Sequence, residues 1–311
     1  MVAREKAISY KNLKWFDFAN PDKKTMDFLE RKFEFHPLDL DDCLTEIQRP
    51  KIDEYANYLF IVLHFPMWNQ KTRRVMTEEV KVFIGQNFVI TLHSGILPPL
   101  EKIRENCRKK SERKKHLGRG SGYFLYEITS ELFDYCFPIL DKLSETATKL
   151  ESDVFDEEGT RDLLKDIMLL KKNIITFRRI LQPERPVISA LEHKNKKFLP
   201  ETLEVYFDDV VDKIEKQWSS LDSLKEVAET LQDANESLIS HRSGETIKVL
   251  TIFSVIMLPL TLISGIFGMN VELPLQENTD TFFGIAGVML VTAAVMFVYF
   301  RWKKWWGTSN Q

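Results

Sequence analysis

The segment VLTIFSVIMLPLTLISGIFG, residues 249–268, contains twenty consecutive residues without a charge. A second uncharged segment of twenty, TFFGIAGVMLVTAAVMFVYF, occupies residues 281–300. At about 1.5 Å of rise per residue, a helix of this length spans the roughly 30 Å hydrocarbon core of a bilayer. Both segments are therefore predicted to be transmembrane helices, with buried core helices as the alternative. The whole-chain composition, 44% hydrophobic and 29% charged, conceals them because it is typical of a globular protein.

The charges that flank the two spans predict their orientation. Basic residues lie on the sides away from the connecting loop: Arg242, Lys248, Arg301, Lys303 and Lys304. The loop itself, residues 270–280, has no lysine or arginine, and its acids are Glu272, Glu277 and Asp280. Basic residues beside a span tend to stay in the cytoplasm. Both termini are therefore predicted to be cytoplasmic, with the acidic loop outside the inner (cell) membrane.

A long segment with heptad spacing precedes the first span. One heptad position carries Leu203, Val210, Leu224, Leu231 and Leu238, interrupted by Gln217, and a second carries Phe207, Ile214, Leu221 and Ala228. This spacing is typical of a coiled coil. Because no glycine or proline occurs before Gly244, one helix is predicted from about Leu203 through the first span, roughly 100 Å long. Pro259 lies inside the span, where it removes one backbone hydrogen bond.

Small and polar residues recur every three or four positions along this helix. The stripe comprises Asp233, Ser237, Ser240, Gly244, Ile247, Thr251, Ser254, Leu258, Thr261, Gly265 and Gly268. Small residues favour close packing of membrane helices, and the same stripe suits the wall of a pore, so the periodicity leaves both interpretations open. Two helices cannot enclose a water-filled path, so a pore requires a closed ring of subunits. In such a ring Asn270 would contribute to a circle of amide oxygens at the outer mouth.

The first of the two C-terminal spans ends in Gly268-Met269-Asn270, an acidic loop follows it, and RWKKWW follows the second span. This arrangement resembles the CorA family of divalent-cation channels, chiefly for magnesium. The resemblance extends to IKVLTIF (247–253), PLT (259–261), HPLDLDDCL (36–44) and QRPKIDEYANYLFIVLHF (48–65). It implies an α+β membrane protein that assembles as a pentameric funnel. Each subunit would have an N-terminal cytoplasmic α/β sandwich domain, a stalk helix continuous with the first span, and two C-terminal transmembrane helices.

The expected organisation follows the chain in order. Its segments are a cytoplasmic α/β domain (1–120), a cytoplasmic helical hairpin (121–200), the stalk helix (201–248), the first span with its Gly-Met-Asn end (249–270), the outer loop (271–280), the second span (281–301) and a basic tail (302–311). Residues 58–65 and 80–94 are predicted strands, the second a hairpin around 85–87. Helices are predicted to start at Pro21-Asp22 and His36-Pro37. The hairpin is predicted to break near Glu158-Gly159.

The resemblance also implies roles for individual residues. The selectivity filter would be Gly268, Met269 and Asn270, and the pore would be lined by Asp233, Ser240, Gly244, Thr251, Ser254, Leu258, Thr261 and Gly265. The hydrophobic gate would be formed by Ile247, Leu250 and Leu258, where relatives often have methionine at the last position. Gly244 stands where relatives often have asparagine, and the outer loop lacks their Met-Pro-Glu-Leu-like stretch. Glu272, Glu277 and Asp280 would concentrate cations at the mouth, or form an ordinary solvated loop.

Regulation by magnesium is a further implication of the resemblance. Residues 201–245 contain twelve acids and four basic residues, so bundled stalks would repel one another unless cations intervene. In the family, magnesium bound between neighbouring cytoplasmic domains holds the closed state, and the matching acids here are Asp42 and Asp209. An exposed acidic helix face is the alternative. Magnesium would thus be both the transported and the regulatory ion.

Other functional classes receive less support from the sequence. The net charge of −3 argues against a nucleic-acid-binding protein, and the basic run at 108–119 lacks interleaved aromatic residues. Walker A, GxGxxG and G-x-S-x-G motifs are absent from the sequence, so no enzyme is predicted. Two alternatives remain: a zinc exporter of the same superfamily, whose members commonly replace the methionine of Gly-Met-Asn, and a non-transporting coiled-coil scaffold. Passage of cobalt or nickel is also open.

Overall fold

The computed structural model describes residues 7–45, 48–95, 97–156, 161–193, 198–269, 279–303 and 305. Within these residues the chain forms two compact units. The boundary between them falls between Asp233 and Ala234, inside one long helix.

A six-stranded sheet forms the centre of the first unit. Its strands are β1 (Ile8–Tyr10), β2 (Leu13–Ala19), β3 (Lys51–Glu54), β4 (Tyr58–Asn69), β5 (Arg74–Gly85) and β6 (Phe88–His93), in the order β1-β2-β6-β5-β4-β3. β2 and β6 pair in parallel, and the other described pairs are antiparallel. β5 turns directly into β6 at Gln86 and Asn87, which confirms the predicted hairpin.

Two helices cover one face of the sheet: α1 (Lys23–Phe33) and α2 (Pro37–Asp42). α1 starts with a capping box, because Asp22 accepts a hydrogen bond from the Thr25 amide at 2.9 Å and the Thr25 hydroxyl reaches back to the Asp22 amide. α2 starts at Pro37, with His36 as its cap. Both predicted helix starts are confirmed. The core beneath these helices is rich in aromatic and aliphatic side chains: Phe16, Phe18, Met26, Leu29, Phe35, Leu40, Phe60, Val62, Phe83, Ile90 and Leu92.

The opposite face of the sheet is covered by α3 (Pro98–Asn106) and α5 (Ser121–Asp134), with α4 (Lys110–Leu117) between them in the chain. Trp15 packs edge-on against Phe124 of α5, with ring centroids 5.1 Å apart. The side chain of Asp17, two residues further along β2, is only 5% exposed and pairs with Arg104 of α3. Helices on both faces confirm the predicted α/β sandwich.

Three helices follow the sandwich: α6 (Phe137–Asp156), α7 (Arg161–Leu181) and α8 (Glu184–Glu192). α6 and α7 flank the predicted break, whose residues, 157–160, lie outside the described part of the chain. Two features of this region were not predicted from the sequence. The helical region is also interrupted between Asp134 and Phe137, and a further helix, α8, follows α7. Pro186 is accommodated because it lies in the first turn of α8, where backbone N–H groups have no helical partner.

The long helix, α9, extends from Glu204 to Phe267 and includes Pro259. The predicted continuity of stalk and first span is therefore confirmed. The coiled-coil interpretation of its heptads needs correction, because these side chains up to Leu231 are buried within the chain itself. Polar contacts to the preceding helices accompany them: Arg178 with Asp222, Arg185 with Glu215, and Lys213 with Asp134. The heptad spacing thus reflects packing on the chain's own helices.

Gln217, which interrupts the heptads, has a defined partner. Its Nε2 donates to the carbonyl oxygen of Phe133 at 2.7 Å, and the side chain is fully buried. Phe133 lies near the end of α5, and its carbonyl oxygen also accepts a hydrogen bond from the Cys136 amide at 3.1 Å. The polar residue among the heptad positions therefore links α9 to the end of α5.

Glu184 provides a pH-dependent test of the packing between α8 and the sheet. Its carboxyl group is fully buried, Oε1 accepts a hydrogen bond from the His64 amide at 2.7 Å, and Oε2 has no partner among the described residues. Burial raises the pKa of Glu184 well above its ordinary value of 4.5, against the opposing effect of the His64 hydrogen bond. The folded chain therefore keeps a proton that the unfolded chain releases above pH 4.5.

We expect Glu184→Gln to become progressively more stable than the wild type as pH rises. Between the unfolded and folded pKa values, this group lowers the free energy of unfolding by about 1.4 kcal/mol per pH unit. Glutamine keeps the acceptor for His64 and does not ionise. Denaturant midpoints between pH 5 and 8 would measure the difference, with Glu184→Ala as a control that loses stability at every pH. A difference that does not grow with pH would contradict the prediction.

Candidate functional site

The second unit contains two helices with the properties of membrane spans. They are the C-terminal part of α9 and α10 (Thr279–Trp302). The most apolar stretch of 18 residues in these two helices has a mean hydropathy of 2.3 and 2.2, respectively. Only 6% of the first stretch and none of the second is buried inside the chain. Apolar helices that stay uncovered in water would be unstable, so these surfaces require lipid or other copies of the chain.

Each span has one partly buried face. Half-buried or buried residues recur every three or four positions in α9, at Ile252, Ile256, Leu260 and Ile263, and in α10, at Ile285, Met289, Thr292, Met296 and Phe300. Ile252 is 1% and Phe300 7% exposed, so each span is most buried near its end away from the connecting loop. Each span therefore has one face that is partly covered in the folded chain.

The stripe of small and polar residues lies on a different face of α9. At about 100° per residue, Ser254, Leu258 and Thr261 lie roughly 120–180° around the helix from Ile252. Every predicted pore-lining residue from Asp233 to Gly265 is exposed, as are the predicted gate residues Ile247, Leu250 and Leu258, at 63%, 66% and 68%. The stripe therefore does not pack against the second span of its own chain. It is available to line a path or to contact another copy.

The hydroxyl groups of the stripe bond back to their own helix. Thr251 Oγ1 donates to the carbonyl oxygen of Ile247 at 2.8 Å, Ser254 Oγ donates to that of Leu250 at 2.9 Å, and Thr261 donates to that of Met257. A hydroxyl that donates its only proton keeps oxygen lone pairs for other partners. The exposed side of these residues thus consists of hydrogen-bond acceptors.

The Gly-Met-Asn motif begins as the end of α9. Gly268 N donates to Ser264 O at 2.9 Å, and Met269 N donates to Ile266 O at 3.4 Å, which continues the helical turn beyond Phe267. A Cβ atom at Gly268 would lie 3.0 Å from Ser264 O, so the glycine permits a close backbone approach. Asn270, Glu272 and Glu277 lie outside the described residues. Asp280 is exposed in the first turn of α10.

The two predicted regulatory acids each lie beside a lysine of the same chain. Asp42 ends α2, and its Oδ2 accepts a hydrogen bond from Lys51 Nζ at 2.7 Å. Asp209 lies in α9, half-exposed, with Lys213 Nζ 3.6 Å from its carboxylate. Among the described residues, no group of three or more His, Cys, Asp or Glu side chains is arranged to hold a metal ion. A metal at either acid would therefore need ligands from another copy or from water.

Sequence reasoning assigned no role to Lys51 or Lys213. Lys51 stands in the quoted QRPKIDEY stretch, two residues before Asp53, but its spacing from Asp42 does not indicate a contact. Lys213 is four residues after Asp209, and residues at i and i+4 are neighbours on a helix. This spacing is the signal in the sequence from which the Asp209–Lys213 contact could have been predicted.

Comparison with known proteins agrees with this arrangement of domain, long helix and two spans. Residues 10–304 match the family model of the CorA-like Mg2+ transporter protein. The chain belongs to the CorA family. It is 32% identical over 285 residues to the cobalt/magnesium transport protein CorA of Thermotoga maritima, covering 90% of this chain and 80% of that protein. It is 31% identical over 296 residues to a putative metal ion transporter of Bacillus subtilis, covering 94% and 89%.

The same fold occurs in a solved structure. The complete structure of the CorA magnesium transporter from Methanocaldococcus jannaschii matches with a TM-score of 0.82 at 24% identity, over 94% of this chain and 92% of that one. A more distant relative is the zinc transport protein ZntB of Yersinia pseudotuberculosis, 21% identical over 86% of this chain and 79% of that protein. The chain is thus a CorA-type divalent-cation transporter, a membrane protein and not an enzyme.

Proposed function

We propose that five copies of the chain form a ring in which α9 lines a path for hydrated Mg2+ into the cytoplasm. The observation that carries this proposal is the exposed stripe on α9, which lies away from the face that is half-buried in the second unit. A chain with two spans cannot enclose water alone, so the stripes of several copies must meet around an axis. Both termini lie in the cytoplasm, as the basic flanks indicate.

Selection of Mg2+ would take place at the Gly-Met-Asn end of α9. Mg2+ loses its waters reluctantly, so a ring of neutral amide oxygens from Asn270 suits it by accepting hydrogen bonds from the bound waters. The acids of the outer loop, among them Asp280, raise the local cation concentration. A membrane potential negative inside favours entry of a dication by about 4.6 kcal/mol per 100 mV. Co2+ and Ni2+ are further candidate ions.

Closure would come from Ile247 and Leu258, the large apolar members of the stripe, together with Leu250, which lies beside the stripe near Ile247. Each of the three is more than 60% exposed in the single chain. In a ring, narrow apolar constrictions at these positions close the path by dewetting. Cytoplasmic Mg2+ held between Asp42 of one copy and Asp209 of the next stabilises this closed state, and its loss shifts the population toward opening.

The first test is Mg2+ uptake into proteoliposomes loaded with a magnesium-sensitive dye, at low internal Mg2+. Asn270→Ala is expected to reduce uptake at least about tenfold, because removal of one ring of oriented acceptors costs the partly hydrated ion more than about 1.4 kcal/mol. Asn87→Ala, which removes an exposed amide from the β5–β6 turn, should leave uptake unchanged. No uptake by an oligomeric wild type would favour the scaffold alternative, and outward Zn2+ flux would favour the zinc exporter.

A further inference from the structure

Lys51 places a permanent positive charge between two carboxylates in the first unit. Its Nζ lies 2.7 Å from Asp42 Oδ2 and 2.5 Å from Asp53 Oδ2. Lys51 and Asp53 are two residues apart on β3, so their side chains lie on the same face of the sheet. That face is the one covered by α2, at whose end Asp42 lies. The lysine thus bridges a strand and a helix end.

The lysine is held in this position by its surroundings. β3 pairs with β4 in a fixed register, with Lys51 opposite Val62 and Asp53 opposite Phe60, and the ammonium lies 5.4 Å from the centre of the Phe60 ring. Burial alone lowers the pKa of Lys51, but the hydrogen bonds to Asp42 and Asp53 outweigh it and raise the pKa. The side chain therefore stays charged at any physiological pH and compensates the charge of Asp42.

Asp209 is compensated much more weakly. Lys213 is 3.6 Å from its carboxylate and makes shorter contacts elsewhere, 2.7 Å to Ser130 Oγ and 2.9 Å to Asp134. The Asp209 side chain is 54% exposed, against 24% for Asp42. Of the two acids assigned to the regulatory ion, Asp42 is therefore the one whose charge the chain already neutralises.

We propose that Lys51 is a tethered counter-cation that competes with cytoplasmic Mg2+ for Asp42 and so sets the concentration at which Mg2+ closes the transporter. This inference rests on the regulatory role proposed above for Asp42. An ammonium and Mg2+ seek the same carboxylate oxygens, and a metal site binds more weakly as its net negative charge falls. A single charge about 5 Å from a dication weakens binding roughly tenfold even at the dielectric constant of water.

A purely structural role for Lys51 makes a different prediction. α2 is already fixed by hydrogen bonds from the hydroxyls of Tyr55 and Tyr58 to Asp39, at 2.9 and 3.0 Å, and by the burial of Leu40 and Cys43. Removal of the ammonium therefore leaves α2 anchored. If Lys51 only positioned Asp42, its loss would weaken Mg2+ binding, whereas competition predicts that its loss strengthens binding.

The test uses the full-length transporter in proteoliposomes with two readouts. One is the internal Mg2+ concentration at which flux falls to half of the value that the same variant shows at low internal Mg2+. The other is the Mg2+ concentration that gives half of the maximal protection of the chain from a protease. Lys51→Met and Lys51→Gln are expected to shift both concentrations about tenfold lower. Lys51→Arg should resemble the wild type. Lys102→Met is the matched control, because Lys102 forms a 2.8 Å ion pair with Glu131 outside this cluster.

Asp42→Asn separates this inference from the regulatory role on which it rests. Suppose that Asp42→Asn abolishes inhibition by Mg2+, and that both Lys51 variants are folded as judged by circular dichroism. If the Lys51 variants then leave the Mg2+ dependences of flux and of protease protection unchanged, or shift them to higher Mg2+, competition by Lys51 is wrong and the regulatory site stands. If Asp42→Asn and Asp209→Asn each leave inhibition and protection unchanged, the regulatory role is wrong and the inference falls with it.

Discussion

Attachment of a trimethylammonium thiol reagent to a cysteine at position 254 should stop Mg2+ flux almost completely. Ser254 lies on the exposed stripe of α9, so Ser254→Cys would place up to five permanent positive charges on the proposed path. One positive charge about 5 Å from a dication raises the energy of the dication by roughly 1.7 kcal/mol even at the dielectric constant of water. This energy slows passage of the ion by more than about tenfold, and several charges would slow it further. Flux through the same proteoliposomes before and after labelling measures the effect.

Ile256→Cys is the matched control for this experiment. Ile256 is two residues away at the same depth, on the face that is half-buried in the second unit, so the reagent should leave flux nearly unchanged. The wild type should also be insensitive, because Cys43, Cys107 and Cys136 are all buried. Equal block at both positions, or none at either, would mean that the stripe does not line the conduction path.

The second large effect concerns Asp17 in the buried network of the sandwich. Its carboxylate accepts hydrogen bonds from Thr91 Oγ1 at 2.5 Å and from His93 Nε2 at 3.1 Å, and it pairs with Arg104. Asp17→Asn removes the charge while leaving the Arg104 guanidinium and its neighbours in place. Breaking one side of a fully buried pair typically costs about 3–5 kcal/mol. Because the Arg104 side chain is 34% exposed and asparagine keeps one acceptor, we expect a smaller loss, about 2 kcal/mol in the free energy of unfolding.

The pH dependence of that loss gives a further check. Burial alone raises the pKa of Asp17, but the hydrogen bonds and charges of His93, Thr91 and Arg104 outweigh it and lower the pKa below the ordinary 3.8. The stabilisation is therefore complete above pH 3.8 and is lost as pH falls through the lower folded value. Denaturant unfolding followed by circular dichroism should show wild type and variant converging in acid. Asp162→Asn, in an exposed pair with Lys165, should behave as the wild type throughout.

The membrane part of the fold could be predicted from the sequence because its signals are local. Twenty uncharged residues determine a span, and the lack of glycine and proline before Gly244 predicted a continuous α9, which begins at Glu204, one residue from the predicted start. The heptads gave the correct buried face. They could not reveal that the face packs on helices of the same chain, because spacing along one helix carries no information about which helix covers it.

Distant contacts explain the features that sequence reasoning missed. β4 and β5 extend beyond their predicted ends because Pro66 pairs opposite Thr77, and because Glu79 within β5 forms an ion pair with Lys81 and lies 3.2 Å from His64 Nε2. In isolation, a proline and two adjacent acids argue against a strand. The stripe on α9 was found from spacing alone. The Lys51–Asp42 contact was not, because it joins a strand to a helix end that approach one another only in the folded sheet.

The back-bonded hydroxyls of α9 have a consequence for the sign of the permeating charge. The hydroxyls of Thr251, Ser254 and Thr261 donate their protons to backbone carbonyl groups one turn earlier. A ring of these residues would therefore present hydroxyl lone pairs as acceptors and no hydroxyl donors. A hydrated cation points its water hydrogens outward and is well solvated by such a wall. Chloride takes hydrogen-bond donors as ligands, and these hydroxyls, whose protons are already donated to the backbone, offer it none. If these residues line the proposed path, its neutral middle would therefore reject anions without the help of an acidic side chain.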